Sequence, residues 1–224
     1  MSLRAAARVV LEKELRVELR TRELTQTILF FVLVVAGMFS FAFEPTAAES
    51  RRILPGLIWL AFFFAGTLML QLTFVREQAN DTLAALRLAP IDPFAIVLGK
   101  ILANFAFLAV TEVIFVPVFS LFYNVGVGAV LGRLLLVLFL GTFGLAVVGT
   151  VFAAMTAQAR MRELMLPLLL LPVLAPVLIA GVEATAALLQ PDPSLPREWL
   201  ALLGGSDVIF LTATWLLSGF LIEE

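Results

Sequence analysis

Glu112 is the one ionisable residue of LANFAFLAVTEVIFVPVFSLF, and it stands five positions before Pro117. A carboxyl that deep in a membrane helix costs about 2.5 to 3.5 kcal/mol on insertion scales unless it is paired or neutralised. Either it belongs to a cavity or a subunit contact, or it is a protonated carboxyl bonded to Asn104, Thr111 or another helix. Two more acids share apolar surroundings. Glu183, in LIAGVEATAALL, lies where a side chain can snorkel toward headgroups. Asp207 follows Gly204-Gly205-Ser206 and suits the start of a helix, capping exposed amides there. Pro167, Pro172 and Pro176 crowd a single apolar run, where each removes a backbone donor and bends or loosens a helix that gates or curves around a partner.

What these residues cannot do is equally informative. Cysteine and histidine are both absent, which removes thiol nucleophiles, histidine bases, the usual zinc sites and the commonest haem ligand. Ser40, Ser120 and Ser218 have no histidine to activate them, and Glu112 and Glu183 are expected on opposite sides of the bilayer midplane. No catalytic residue, bound cofactor or metal site is expected, so the chain is not read as an enzyme. Gly99-Lys100 is followed by Ile101 and lacks the upstream glycine of a phosphate-binding loop, so any ATP is used by another polypeptide.

The elements that carry these residues follow from composition. The 224 residues are 62% hydrophobic and 14% charged, with a mean hydropathy of +1.06 and a net charge of −2. Apolar runs long enough to cross about 30 Å of hydrocarbon recur, which identifies an all-α polytopic membrane protein and gives no case for nucleic-acid binding. Six spans are expected within one transmembrane domain, at 27–43, 53–75, 101–123, 130–155, 164–189 and 199–222. For the last, a start near Asp207 after a re-entrant or interfacial piece is the alternative. Some 27 charged or polar-patterned residues precede the first run, so that run is expected to persist as a span rather than be cleaved.

Six spans sort the basic residues into two sets. Arg4, Arg8, Lys13, Arg16, Arg20, Arg22, Arg76, Arg87, Lys100, Arg160 and Arg162 fall on one side; Arg51, Arg52, Arg133 and Arg197 fall on the other. The positive-inside rule makes the first side, with both termini, cytoplasmic. Residues 1–26 then form a helix in the cytoplasmic interface, its apolar row Leu3, Ala7, Leu11, Leu15 and Leu19 flanked by Val10 and Val17, with Glu12–Arg16 and Glu18–Arg22 as i, i+4 pairs. Glu14 and Glu18 intrude on that row, which leaves open a helix solvated all round. Gly149, Ala153 and Ala157 form a small-xxx-small row that permits close helix approach. Matched halves with corresponding broken helices, as in many secondary transporters, are not visible.

Between the second and third runs the chain turns polar: REQANDTLAALRLAPIDPFAIVLGK, 76–100. Arg76 and Glu77 end the second span at the headgroups. Asn80-Asp81-Thr82 supplies a cap, 82–88 a short helix bearing Leu83, Leu86 and Arg87, and Pro90, Asp92 and Pro93 a turn that breaks it. A short helix fixed at both ends to spans transmits a push from a soluble motor. This pattern resembles the cytoplasmic coupling loop of ABC-2-type permeases. With ELRTRE, FSFAFE, ILPGLIWLAFFFAG, LAPID, LGK, MRELMLPLLLLPVLAPVLIAGVEAT and DVIFLTATWLL along the rest of the chain, it is similar to the CcmB family, the permease subunit of the cytochrome c maturation system. One local departure is Gln78-Ala79-Asn80-Asp81, where a glycine would be expected before the Thr-Leu pair.

The resemblance implies an ABC-2-type permease fold in a bacterial inner membrane, two copies per complex, pairing with the ATPase subunit CcmA beside CcmC and CcmD. ATP-driven work would release the haem-loaded chaperone CcmE. Haem ligands are then expected on partners, because this chain offers iron only Met, Tyr123 or carboxylates. Two other readings stay open: an ABC-2 exporter of a lipid or drug, marked by a polar or amphipathic cavity lined by Glu112, and a non-transporting scaffold.

Overall fold

The computed structural model describes residues 3–43, 47–79, 92–157, 159 and 161–223. Among the described residues seven helices follow one another: α1 Leu3–Thr21, α2 Glu23–Phe43, α3 Ala47–Ala79, α4 Pro93–Phe122, α5 Leu131–Thr156, α6 Arg162–Leu188 and α7 Arg197–Glu223. No strand occurs among the described residues. Six of the helices, α2 to α7, are long and apolar enough to cross a membrane, which gives the all-α polytopic architecture. In hydrocarbon a backbone can satisfy its polar groups only within the segment, so continuous apolar runs must become helices.

Local chemistry sets the ends. Arg22, at φ 56°, donates its amide to Glu18 O at 2.7 Å, a left-handed stop that separates α1 from α2. Glu18 Oε1 then accepts from Thr25 N and Thr25 Oγ1, both at 2.9 Å, and so caps the helix that follows. Asp92 caps α4 by accepting from Phe94 N at 2.9 Å, with Pro93 at the first helical position, where its missing N–H costs nothing. At the far end Asn124 takes φ 49° while Val125 N reaches back to Ser120 O at 3.1 Å, a Schellman-type stop. A 3-10 turn, Gly128–Val130, leads into α5.

α3 and α5 are the most buried spans, α2 and α7 the least. Glycines let the central helices meet. Trp59 of α3 fills the space opposite two of them: an added Cβ on Gly141 of α5 would stand 2.1 Å from its ring, and one on Gly181 of α6 2.4 Å from it. The indole N–H donates to Thr185 Oγ1 at 3.0 Å. Gly149, the first of the expected small-residue row, admits Leu70 of α3 in the same way, and Ala153 and Ala157 are buried with it.

Two readings of the sequence need correction. α7 runs unbroken through Gly204 and Gly205, so Asp207 lies inside a helix and does not cap its start; in a bilayer the run gains more from continuous backbone bonding than two glycines cost. The buried face of α1 is the row Ala6, Val10, Glu14 and Glu18 with Ala7, whereas Leu19 is 77% exposed and Leu3, Leu11 and Leu15 are only partly covered. The acids that seemed to interrupt an apolar stripe are the docked ones.

Candidate functional site

The segment expected to meet a motor falls on positions that are only partly described. Thr82, Leu83, Leu86, Arg87 and Pro90 lie outside the described residues, and Arg76 and Glu77 are placed by backbone alone, in the last turns of α3. Its downstream anchor is described fully. Asp92 and Pro93 open α4, and the next two turns of α4 are gripped by α1. Gly99 lies so close to α1 that a Cβ there would stand 2.6 Å from Val10 Cβ and 2.7 Å from Ala7 O. One residue on, Lys100 is buried with its Nζ 3.7 Å from Glu14 Oε1, which also receives Lys13 Nζ at 3.0 Å. The start of α4 is therefore packed and paired against α1.

α4 carries polar contacts along its length. Asn104 is fully buried, donates from Nδ2 to Thr150 Oγ1 of α5 at 2.9 Å, and accepts from Thr73 Oγ1 of α3 at 3.4 Å. Two turns later Glu112, 5% exposed, accepts through Oε1 from Thr142 Oγ1 of α5. Of the partners expected for Glu112, the structure selects another span rather than Asn104 or Thr111, whose hydroxyl donates to Phe107 O. Beyond it, Phe115, Phe119 and Tyr123 stack in an i, i+4 ladder with ring centroids 4.4 and 5.7 Å apart. Burial pushes the Tyr123 phenol above its ordinary value of 10.0, and its oxygen has no hydrogen-bond partner among the described residues.

Glu112 also borders a cavity of about 660 Å³ that runs from α4 (Val116, Pro117, Ser120) past the 124–127 turn to Leu131 and Leu135 of α5. Its walls are apolar except for Glu112, Ser120 and Asn124. Ser120 Oγ donates to Val125 O at 2.7 Å, so that hydroxyl presents lone pairs rather than a proton.

The remaining candidates do not converge there. Pro167, Pro172 and Pro176 lie inside α6, whose helix continues across all three. Glu183 is exposed on the same helix. Trp59 touches Gly141 and Gly181 together, which places Thr142 with its partner Glu112 in the same layer as Glu183, not across the midplane from it. The shift arises because α4 starts at Pro93, about two turns before position 101, so that Glu112 lies past its middle, nearer the Tyr123 end. Asp207 is buried against α5: a Cβ on Gly144 would lie 2.8 Å from its Oδ1, which has no hydrogen-bond partner among the described residues. The sequence assigns Thr142 no role, reads Lys100 as a loop charge and as part of a Gly-Lys pair that makes no phosphate loop, and reads Glu14 as an intrusion on an apolar row. The i, i+4 row Ala6, Val10, Glu14, Glu18 is the signal that joins Glu14 to the docked face.

Residues 5–222 match the family described as CcmB protein. Among curated relatives, heme exporter protein B of Pseudomonas aeruginosa is 35% identical over 185 residues, 82% of each chain. Heme exporter protein B of Rhodobacter capsulatus is 34% identical over 176 residues, 79% of this chain and 80% of that one, and that of Paracoccus denitrificans is 32% identical over 156 residues, 70% and 71%.

Proposed function

The chain belongs to the CcmB family, and from that premise we propose that it is the membrane permease subunit of an ABC-type complex for cytochrome c maturation. It sits in the bacterial inner membrane with both termini cytoplasmic, as two copies, beside CcmA, CcmC and CcmD. It has no catalytic site of its own. CcmA hydrolyses ATP and pushes on residues 76–100, and the movement passes along α4 to release haem-loaded CcmE on the outer face. Haem is ligated by the partners, since a chain without histidine or cysteine offers iron poor axial ligands.

The observation that carries the coupling role is the grip on α4. Asp92 caps it, Gly99 admits α1 at near contact, and the buried Lys100–Glu14 pair ties the two helices. A helix held this way from its first turn moves as a lever, whereas a loosely tethered loop would dissipate the push. The test is the triple variant Leu83→Asp, Leu86→Asp and Arg87→Glu. It is expected to insert at normal abundance yet lose both CcmA co-purification and holocytochrome c. Unchanged partner binding and cytochrome yield would defeat the coupling role and leave the scaffold as the better reading.

A second reading, an ABC-2-type exporter of a lipid or drug, is favoured by the Glu112-lined cavity. On that reading, filling the cavity with Leu135→Trp abolishes the complex's ATP-driven work while CcmA still binds. ATP turnover that still rises with added lipid or drug in this variant as in the native complex would set it aside.

A further inference from the structure

Along α4 the cavity beside Glu112 presents acceptors, and the side-chain N–H donors of its lining belong to Asn124, twelve residues further along the chain. Glu112 Oε1 is satisfied by Thr142, while Oε2 takes no hydrogen bond among the described residues on a side chain that lines the space. Pro117 has no N–H, so the carbonyl of Val113, four residues earlier and also in the lining, is left without its helical donor. Ser120 spends its proton on Val125 O. The nearest arginine along α5, Arg133, donates to Pro193 O at 3.3 Å and does not serve Glu112. A buried carboxyl, an orphaned carbonyl and a hydroxyl lone pair in an apolar groove bordered by the exposed Val113 and Leu121 call for a ligand on a hydrocarbon body whose basic nitrogen takes the carboxyl proton and brings several N–H donors. An anion offers them no donor.

Size and depth narrow the class. About 660 Å³ suits a drug-sized molecule rather than a two-chain lipid. Glu112 lies ten residues before the end of α4 at Phe122, about 15 Å below that end by helical rise, so a phospholipid headgroup held at the interface does not reach it. We propose that this cavity is a binding site for a single-chain lipophilic primary amine, its ammonium against Glu112 and the Val113 carbonyl and its chain against Val116, Leu131 and Leu135. This site does not rest on the coupling role proposed above.

The experiment measures saturable binding of radiolabelled dodecylamine to the full-length chain in phosphatidylcholine nanodiscs, with empty discs subtracted. One site per chain is expected. Glu112→Gln should weaken binding at least tenfold, Leu135→Trp, which keeps the carboxyl but fills the chamber, should do the same, and Glu183→Gln should leave it unchanged. Dodecanol should compete at least tenfold less well than the amine and dodecanoate not at all. The coupling variant L83D/L86D/R87E should bind normally, so failure of the coupling role and failure of this site are separable. The proposal is overturned if binding does not saturate, or if Leu135→Trp binds like the native chain. Equal competition by dodecanoate, or by phosphatidylethanolamine in the discs, would overturn it too. Should Glu112→Gln fail to accumulate, Leu135→Trp and the competitor series decide the matter alone.

Discussion

Gly141 and Gly181 hold the same indole from two helices, and neither can accept a methyl group without moving Trp59. Overpacking of this kind costs about 1 to 3 kcal/mol. Gly181→Ala should therefore lower stability by that amount in reversible unfolding by dodecyl sulfate, and in a Trp59→Ala background the same change should cost almost nothing, because the obstructing ring is gone. Additive losses would mean that the glycine acts through backbone freedom and not through the ring. The sequence shows that apolar helices with small residues will pack closely, but it cannot say which aromatic meets which glycine. That pairing depends on how α3, α5 and α6 rotate and slide against one another, a three-body property. Glu112 is a similar case: its cost was evident from its apolar neighbours, while Thr142 as its partner required the register between α4 and α5.

At the scale of elements, α1 is the one helix whose docked face was misjudged. Leucines mark a face by hydropathy, yet two acids, two alanines and a valine fit closer to α4 than leucines could, and Glu14 and Glu18 are repaid by Lys100, Lys13 and the first amides of α2. Pairing along α1 also shifts, since Glu12 takes Arg8 at 2.8 Å and not Arg16. Gly99→Leu should release this helix, because the obstruction includes the Ala7 carbonyl, which cannot rotate aside. Hydrogen exchange should then quicken at least tenfold across α1 and remain unchanged in α5 and α6. Exchange confined to its native rate would mean that the Lys100–Glu14 pair alone holds the helices together. A companion change, Glu18→Ala, removes the acceptor from the start of α2 and should cost about 1.5 to 3 kcal/mol, the usual worth of a hydrogen bond to a charged group; a loss below that range would show that water replaces the carboxylate.

For the molecule as a whole, the count of six spans was legible because uninterrupted apolar runs have one structural solution in a bilayer. Direction along the membrane rests on charge alone, and the coupling role depends on it. The helices fix which loops share an end: α4 leaves the Asp92 end and reaches Tyr123, α5 returns, and α6 goes out again, so Gly126 and Ser194 stand at one end while Leu19 and Ala159 stand at the other. The absence of cysteine makes single-cysteine labelling unambiguous. All four sites suit it, since Gly126 has open space around it, Leu19 and Ser194 are exposed and Ala159 is partly so. A membrane-impermeant maleimide added outside spheroplasts should modify Gly126→Cys and Ser194→Cys and spare Leu19→Cys and Ala159→Cys, with all four reacting after permeabilisation. The inverse pattern would put residues 80–91 outside the cell, beyond reach of an ATPase in the cytoplasm, and the lever formed by α1 and α4 would then have no motor to drive it.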